Sequence, residues 1–163
     1  MRFWPHCAAL VLWMNKSSYE QELKNRGELI YTTTGMSMRP FLRSGEDLMV
    51  IEAKKEIRCR VRDVVLYRRD SGKYVLHRIM AVRKDDYVLC GDNCWQLEPG
   101  IRRDQVLGVL TDVIRNGKKC SVSAPAYRLA VMAWWVGYPV RAAVLFGRYC
   151  LGVLWKRIKG VKS

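Results

Sequence analysis

Residues 70–90 read Asp70-Ser71-Gly72-Lys73-Tyr74-Val75-Leu76-His77-Arg78-Ile79-Met80-Ala81-Val82-Arg83-Lys84-Asp85-Asp86-Tyr87-Val88-Leu89-Cys90. A turn triplet opens the stretch, and two runs rich in Val, Leu, Ile and Tyr follow, Tyr74–Val82 and Asp86–Cys90. Both are of strand length, and period-two alternation puts Val75, His77 and Ile79 on one face of the first. The same texture extends outward from Glu28 to Ser123. Leu29–Thr33, Asp47–Glu52, Asp63–Tyr67 and Val106–Ile114 are further apolar runs. Arg43-Ser44-Gly45, Gly91-Asp92-Asn93, Pro99-Gly100 and Asn116-Gly117 are the breakers between them. Short strands at roughly ten-residue spacing predict a mainly β domain over 28–123, a barrel or sandwich-like core.

The flanks differ. Ser17-Ser18-Tyr19-Glu20 matches a capping box and predicts a short helix over Ser18–Arg26, stopped by Gly27. Before it, the apolar run Cys7–Met14 has eight residues, whereas a spanning helix needs about 20. Nor does a small-x-small cleavage pattern follow it. We read 1–27 as an interfacial or packing segment, or a degenerate anchor, followed by that helix. Residues 124–163 are helical in pattern and rich in Trp and Leu, with Pro139 expected to break or kink the helix.

Net charge is +14, from 29 Lys and Arg against 15 Asp and Glu. Such a balance points to nucleic acid or an anionic membrane surface. Its distribution decides between them. The last acidic residue is Asp112, and ten of the 29 basic residues follow it. The first 112 residues are therefore close to neutral, and the excess belongs to the Trp-rich tail. Trp and Leu between the charges argue against phosphate contacts, which need basic side chains on a polar face. A basic amphipathic helical segment instead predicts contact with an anionic membrane surface and no nucleic-acid partner. The bland alternative is a helical hairpin packed on the β domain or in a dimer. Six cysteines form no Cys-x-x-Cys pair, which fits free thiols in a reducing compartment and no metal or other cofactor.

Three small constellations could carry chemistry. Gly35-Met36-Ser37-Met38-Arg39-Pro40 holds a serine between residues whose amides can face a developing oxyanion. His77 is the histidine best placed to act as a base, since His6 lies in the N-terminal apolar segment. Gly91-Asp92-Asn93 supplies a carboxylate, and Glu98 supplies another. A serine needs an adjacent base to be a useful nucleophile. A histidine base in turn gains from a carboxylate that orients its ring. Singly, each constellation reads as an ordinary turn or a core residue.

Together and in this order they resemble the signal-peptidase superfamily of serine peptidases, which includes the self-cleaving SOS and phage repressors. The resemblance rests on 35–47, Arg62–Tyr67, Val75–Ile79, Cys90–Asn93 and Asp104–Val109, and spans about residues 28–115. It implies a signal-peptidase-like β core with Ser37 as nucleophile. Bacterial members and the repressors use a lysine base, and Lys73 is off that motif. His77-Arg78-Ile79 looks like the histidine version of the endoplasmic-reticulum and archaeal type. The third member of that type lies a few residues beyond the Gly-Asp-Asn box, so both Asp92 and Glu98 are candidates. Backbone at Gly35, Met36 and Met38 would line the oxyanion site.

The implied activity is a serine endopeptidase that cleaves a leader or signal peptide by a Ser-His mechanism. Its expected partners are a peptide substrate and an anionic membrane surface, with the side of the membrane left open. Another class of function fits the same residues: a non-catalytic membrane-surface or partner-binding protein that retains the peptidase fold.

Overall fold

The computed structural model describes residues 18–54 and 59–160. The protein is mainly β. In chain order the elements are α1 (Ser18–Arg26), β1 (Glu28–Tyr31), β2 (Leu48–Ala53), β3 (Val64–Arg68), β4 (Tyr74–Val82), β5 (Asp86–Cys90), β6 (Glu98–Arg102), β7 (Val106–Arg115), β8 (Lys118–Ser121), α2 (Pro125–Val136) and α3 (Tyr138–Gly160). The strands form one open antiparallel sheet in the order β1-β2-β7-β3-β4-β5-β6. β8 pairs the end of β7 at Asp112–Arg115, beyond the Val106–Val109 stretch that pairs β3.

Alternation along the strands feeds two cores, one on each face of β3 and β4. Val64, Leu66 and Leu76 join Leu29, Met49, Ile51 and Leu110 on one face. Val65, Tyr67 and Ile79 join Tyr87, Leu89, Ile101 and Val106 on the other. Register shifts at Val50/Ile51, Leu66/Tyr67, Ile79/Ala81 and Tyr87/Leu89 insert bulges in four of the pairings. Bulges sharpen the local twist, and the β3–β6 half curls enough for side chains of β3 and β6 to touch. Leu23 carries α1 into the first core. Gly27 ends that helix at φ +76°, its N–H donating to Leu23 O at 3.0 Å, a left-handed stop that glycine takes without a Cβ clash.

One expectation needs correction. Pro99-Gly100 does not break the chain; it lies inside β6, which pairs only with β5. An edge strand tolerates the missing proline N–H because one side of it needs no partner. The expected break near Pro139 is found: α2 ends at Val136, α3 starts at Tyr138 with Pro139 in its first turn, and the two helices are bent by 61°. Asn116-Gly117 does turn the chain, with φ +51° and +74°, as a two-residue hairpin loop that adds β8. The expectations for residues 1–17, including Ser17 as a cap, lie outside the described residues.

Among the described residues no single helix is long and apolar enough to cross a membrane. Pro125–Val136 and Tyr138–Trp155 together have that length and composition, bent by 61°. Among the described residues, twelve of the 16 exposed large apolar side chains lie on this pair, a concentration of apolar exposure on one pair of elements.

A candidate serine–histidine site

The segment carrying Ser37 is a loop fixed at both ends. The Arg39 N–H donates to Met36 O at 3.3 Å, closing a turn around Ser37 and Met38. Met38 and Leu42 drop into the first core. At the far end Asp47 is buried, accepting two bonds from Arg115 and one from the Arg43 N–H, all at 2.7 Å. Arg115 also donates to Phe41 O at 2.9 Å. Burial raises the Asp47 pKa, but the Arg115 and Arg43 bonds outweigh it and hold the carboxyl below its ordinary range.

Ser37 is half-buried and faces the turn after β5. The Asn93 N–H donates to Ser37 O at 2.7 Å, and the Asn93 amide reaches Met36 O at 3.4 Å. A Cβ on Gly91 would stand 2.7 Å from Ser37 O and 3.0 Å from Ser37 Cβ. Glycine is therefore required by close approach. Its place in the sheet matters more. β4 and β5 pair Ile79 with Leu89 and Arg78 with Cys90, so Gly91 follows directly on the last paired residue of β5, beside the stretch of β4 that carries His77. Ser37 thus occupies the space a side chain at Gly91 would fill, just past the end of the strand that pairs with β4.

His77 is 6% exposed. Its Nδ1 lies 3.3 Å from Glu98 Oε1 and 3.4 Å from the Tyr67 hydroxyl. Tyr67 donates to Glu98 Oε2 at 2.7 Å, which leaves its oxygen able to accept. Arg69 grips the same carboxylate through Nε at 3.0 Å and through Nη2. Both neighbours of Nδ1 accept a proton, so the network assigns the hydrogen to Nδ1 and leaves Nε2 a free lone pair. Burial pushes the His77 pKa down; Glu98 and Asp92 pull it up, Arg69 pushes it down, and the net is below the ordinary value. Burial raises Glu98, but the bonds from Arg69 and Tyr67 prevail and keep it below the usual carboxylate range.

The two carboxylates left open by the sequence are separated here. Glu98 is at the imidazole. Asp92 is not: it forms a buried two-point ion pair with Arg78, at 2.7 Å for both bonds. Arg78 follows His77 in β4 and so leaves the opposite face. That pair is backed by Tyr127, at 3.4 Å from Arg78 Nη2, and by the Phe41 ring, 5.2 Å from the guanidinium. Its role is to anchor the turn on which Ser37 rests.

Among the proposed oxyanion residues, Gly35 and Met36 are exposed, and the Met38 side chain is core. The Ser37 and Met38 amides donate to no group among the described residues. The Ser37 hydroxyl likewise has no partner there. Sequence reasoning missed Tyr67 and Arg69. Their signal was the alternation Val65, Tyr67, Arg69, since Val65 pairs with His77 and residues two apart share its face.

The helix pair touches this region directly. Trp134 Nε1 donates to Asp92 O at 3.1 Å, and the Tyr138 hydroxyl to Trp95 O at 2.7 Å. Trp95 packs on Phe146 and Tyr149 of α3, with centroids 5.0 and 5.8 Å away. No His, Cys, Asp or Glu cluster among the described residues is arranged for a metal. A scan against protein-family models and searches of curated proteins and of solved structures find no match to this chain.

Proposed function

We propose that the protein is a serine endopeptidase of the signal-peptidase type, acting through Ser37, His77 and Glu98. One observation carries the reading: Glu98 Oε1 stands 3.3 Å from His77 Nδ1, which leaves Nε2 available as a base, while Ser37 packs on Gly91 at the end of the strand that pairs with β4. In this mechanism Ser37 Oγ attacks the scissile carbonyl and passes its proton to Nε2. The Ser37 and Met38 amides receive the oxyanion. His77 then protonates the leaving amine, and water hydrolyses the ester on Ser37 by the same route in reverse. Glu98 orients the imidazole and stabilises its cationic form. Among the described residues no hydrogen bond joins Ser37 to His77; this is compatible with the mechanism, because catalytic hydrogen bonds often tighten only when substrate arrives.

The substrate class is a leader or signal peptide held extended against the site. Its encounter with the enzyme takes place at an anionic membrane surface, on which the exposed apolar face of α2 and α3 and the basic tail both favour residence. Ser37→Ala tests the reading: cleavage of the peptide substrate disappears while the fold is retained. Undiminished cleavage by that variant would reject the mechanism. The reading as a non-catalytic surface protein would then stand on the helix pair alone.

A further inference from the structure

A cleft of about 890 Å³ opens on the face of the sheet opposite His77, between the approach to β3 and α2. Its two halves have different chemistry. Val64, Leu110 and Val131 make a buried apolar floor, extended by the exposed Leu129 and Met132 of α2. Arg60, Arg62 and Arg128 stand on the rim, all exposed. Among the described residues none of these three guanidinia has an ion pair or hydrogen bond; only their backbones do. Asp63 is the lining carboxylate, and its Oδ2 already accepts the Arg60 N–H at 2.7 Å. Arg78 closes the back, its charge balanced by Asp92.

Arg62 adds a second sign. Its φ is +78°, a left-handed conformation uncommon for a residue with a side chain. It is pinned there by its N–H on Ile79 O and by Arg78 Nη1 on its carbonyl, both at 2.8 Å. Glycine would sit there without strain, so what arginine adds is the guanidinium at the rim.

We propose that this cleft binds one anionic phospholipid, with the phosphate among Arg60, Arg62 and Arg128 and the acyl chains along Leu129 and Met132. Charge complementarity selects the headgroup, since three exposed, unpaired guanidinia on one rim offer forked, charge-assisted donors that match a phosphate. Continuity selects the tail, because the apolar floor runs onto the exposed face of α2. The site shares that surface with the membrane reading but does not depend on Ser37, so peptidase activity and lipid binding can fail separately.

The test uses the full chain in nonionic detergent micelles, titrated calorimetrically with dioctanoyl phosphatidylglycerol. Saturable one-to-one binding is expected, with dioctanoyl phosphatidylcholine and inorganic phosphate each about tenfold weaker or more. Arg62→Gly relieves the backbone and should melt no lower than the parent, yet weaken lipid binding about tenfold. Met132→Trp, which fills the cleft from the exposed side, should weaken it while leaving the arginines in place. Arg148→Ser, in α3 and away from the cleft, should bind as the parent does. Four results would each overturn the proposal: no saturable binding, phosphate binding as tightly as the lipid, an acidic peptide outcompeting it, or equal losses in Arg148→Ser and Arg62→Gly.

Discussion

Glu98 reaches His77 from two strands away: it lies on β6, His77 lies on β4, and its Oε1 is 3.3 Å from Nδ1. The curl of the β3–β6 sheet closes that distance, and Tyr67 and Arg69 of the β3 side hold the carboxylate in place. Replacement by glutamine should keep the shape and lose the charge that supports an imidazolium. Glu98→Gln is expected to lower kcat about 10²- to 10⁴-fold with little change in KM. Its stability should change by about 1 kcal/mol or less, since the Glu98–Arg69 pair is partly exposed. Peptide-cleavage kinetics beside a thermal melt read both.

The same surroundings set the pH response. In the proposed mechanism His77 must be neutral to accept the Ser37 proton, and burial holds its pKa below the ordinary 6.5. The acidic limb of kcat/KM is therefore expected below pH 6.5, not at it. Stability follows the same sign. Between the ordinary pKa and the depressed folded one, the unfolded chain binds the proton and the folded chain does not, so stability falls as pH drops through that window. In Glu98→Gln the upward pull of Glu98 is lost, and His77 should titrate lower still. Chemical-shift titration of the His77 ring measures this directly. A His77 pKa above 6.5 in the parent protein would refute it.

Asp92 should behave differently. With Arg78 2% exposed and Asp92 3% exposed, removing one charge strands the other. Asp92→Asn is expected to destabilise by about 3–5 kcal/mol. Adding Arg78→Met to Asp92→Asn should restore much of the loss. Urea unfolding of the two variants makes the comparison. A mild effect of Asp92→Asn on stability together with a catalytic loss like that of Glu98→Gln would return Asp92 to the imidazole.

Gly91→Ala probes the seat of Ser37. The added Cβ would meet Ser37 O at 2.7 Å and Cys94 Sγ at 2.8 Å. The thiol can swing aside; the carbonyl cannot move without carrying Ser37 with it. Misplacement approaching 1 Å would cost about 10²-fold in kcat, with a stability loss of about 1–3 kcal/mol from overpacking. Cleavage kinetics and a melt on the purified variant check both.

The strands were legible because their signals are local. Alternation and turn residues located β1 to β5 and β7 within a residue or two, and Gly27 announced the end of α1. β6 was hidden, because Pro99 and Gly100 read as a turn and only the edge position in the sheet makes them compatible with a strand. Within the site, Ser37 and His77 stood out by residue type and order. The choice between Asp92 and Glu98 was not legible, since it depends on which face of the sheet each carboxylate leaves and on the curl that brings β6 to β4. The Arg78–Asp92 pair and the Tyr67–Arg69 support depend on the same long-range geometry.

The most direct measurement is labelling of the purified full chain with a serine-reactive peptidyl phosphonate, located by mass spectrometry of the digested protein. The expected adduct is on Ser37, formed at a rate that drops sharply in His77→Ala and does not form in Ser37→Ala. Labelling that ignores both substitutions, or an adduct on another residue, would contradict the assignment of Ser37 and His77 as nucleophile and base.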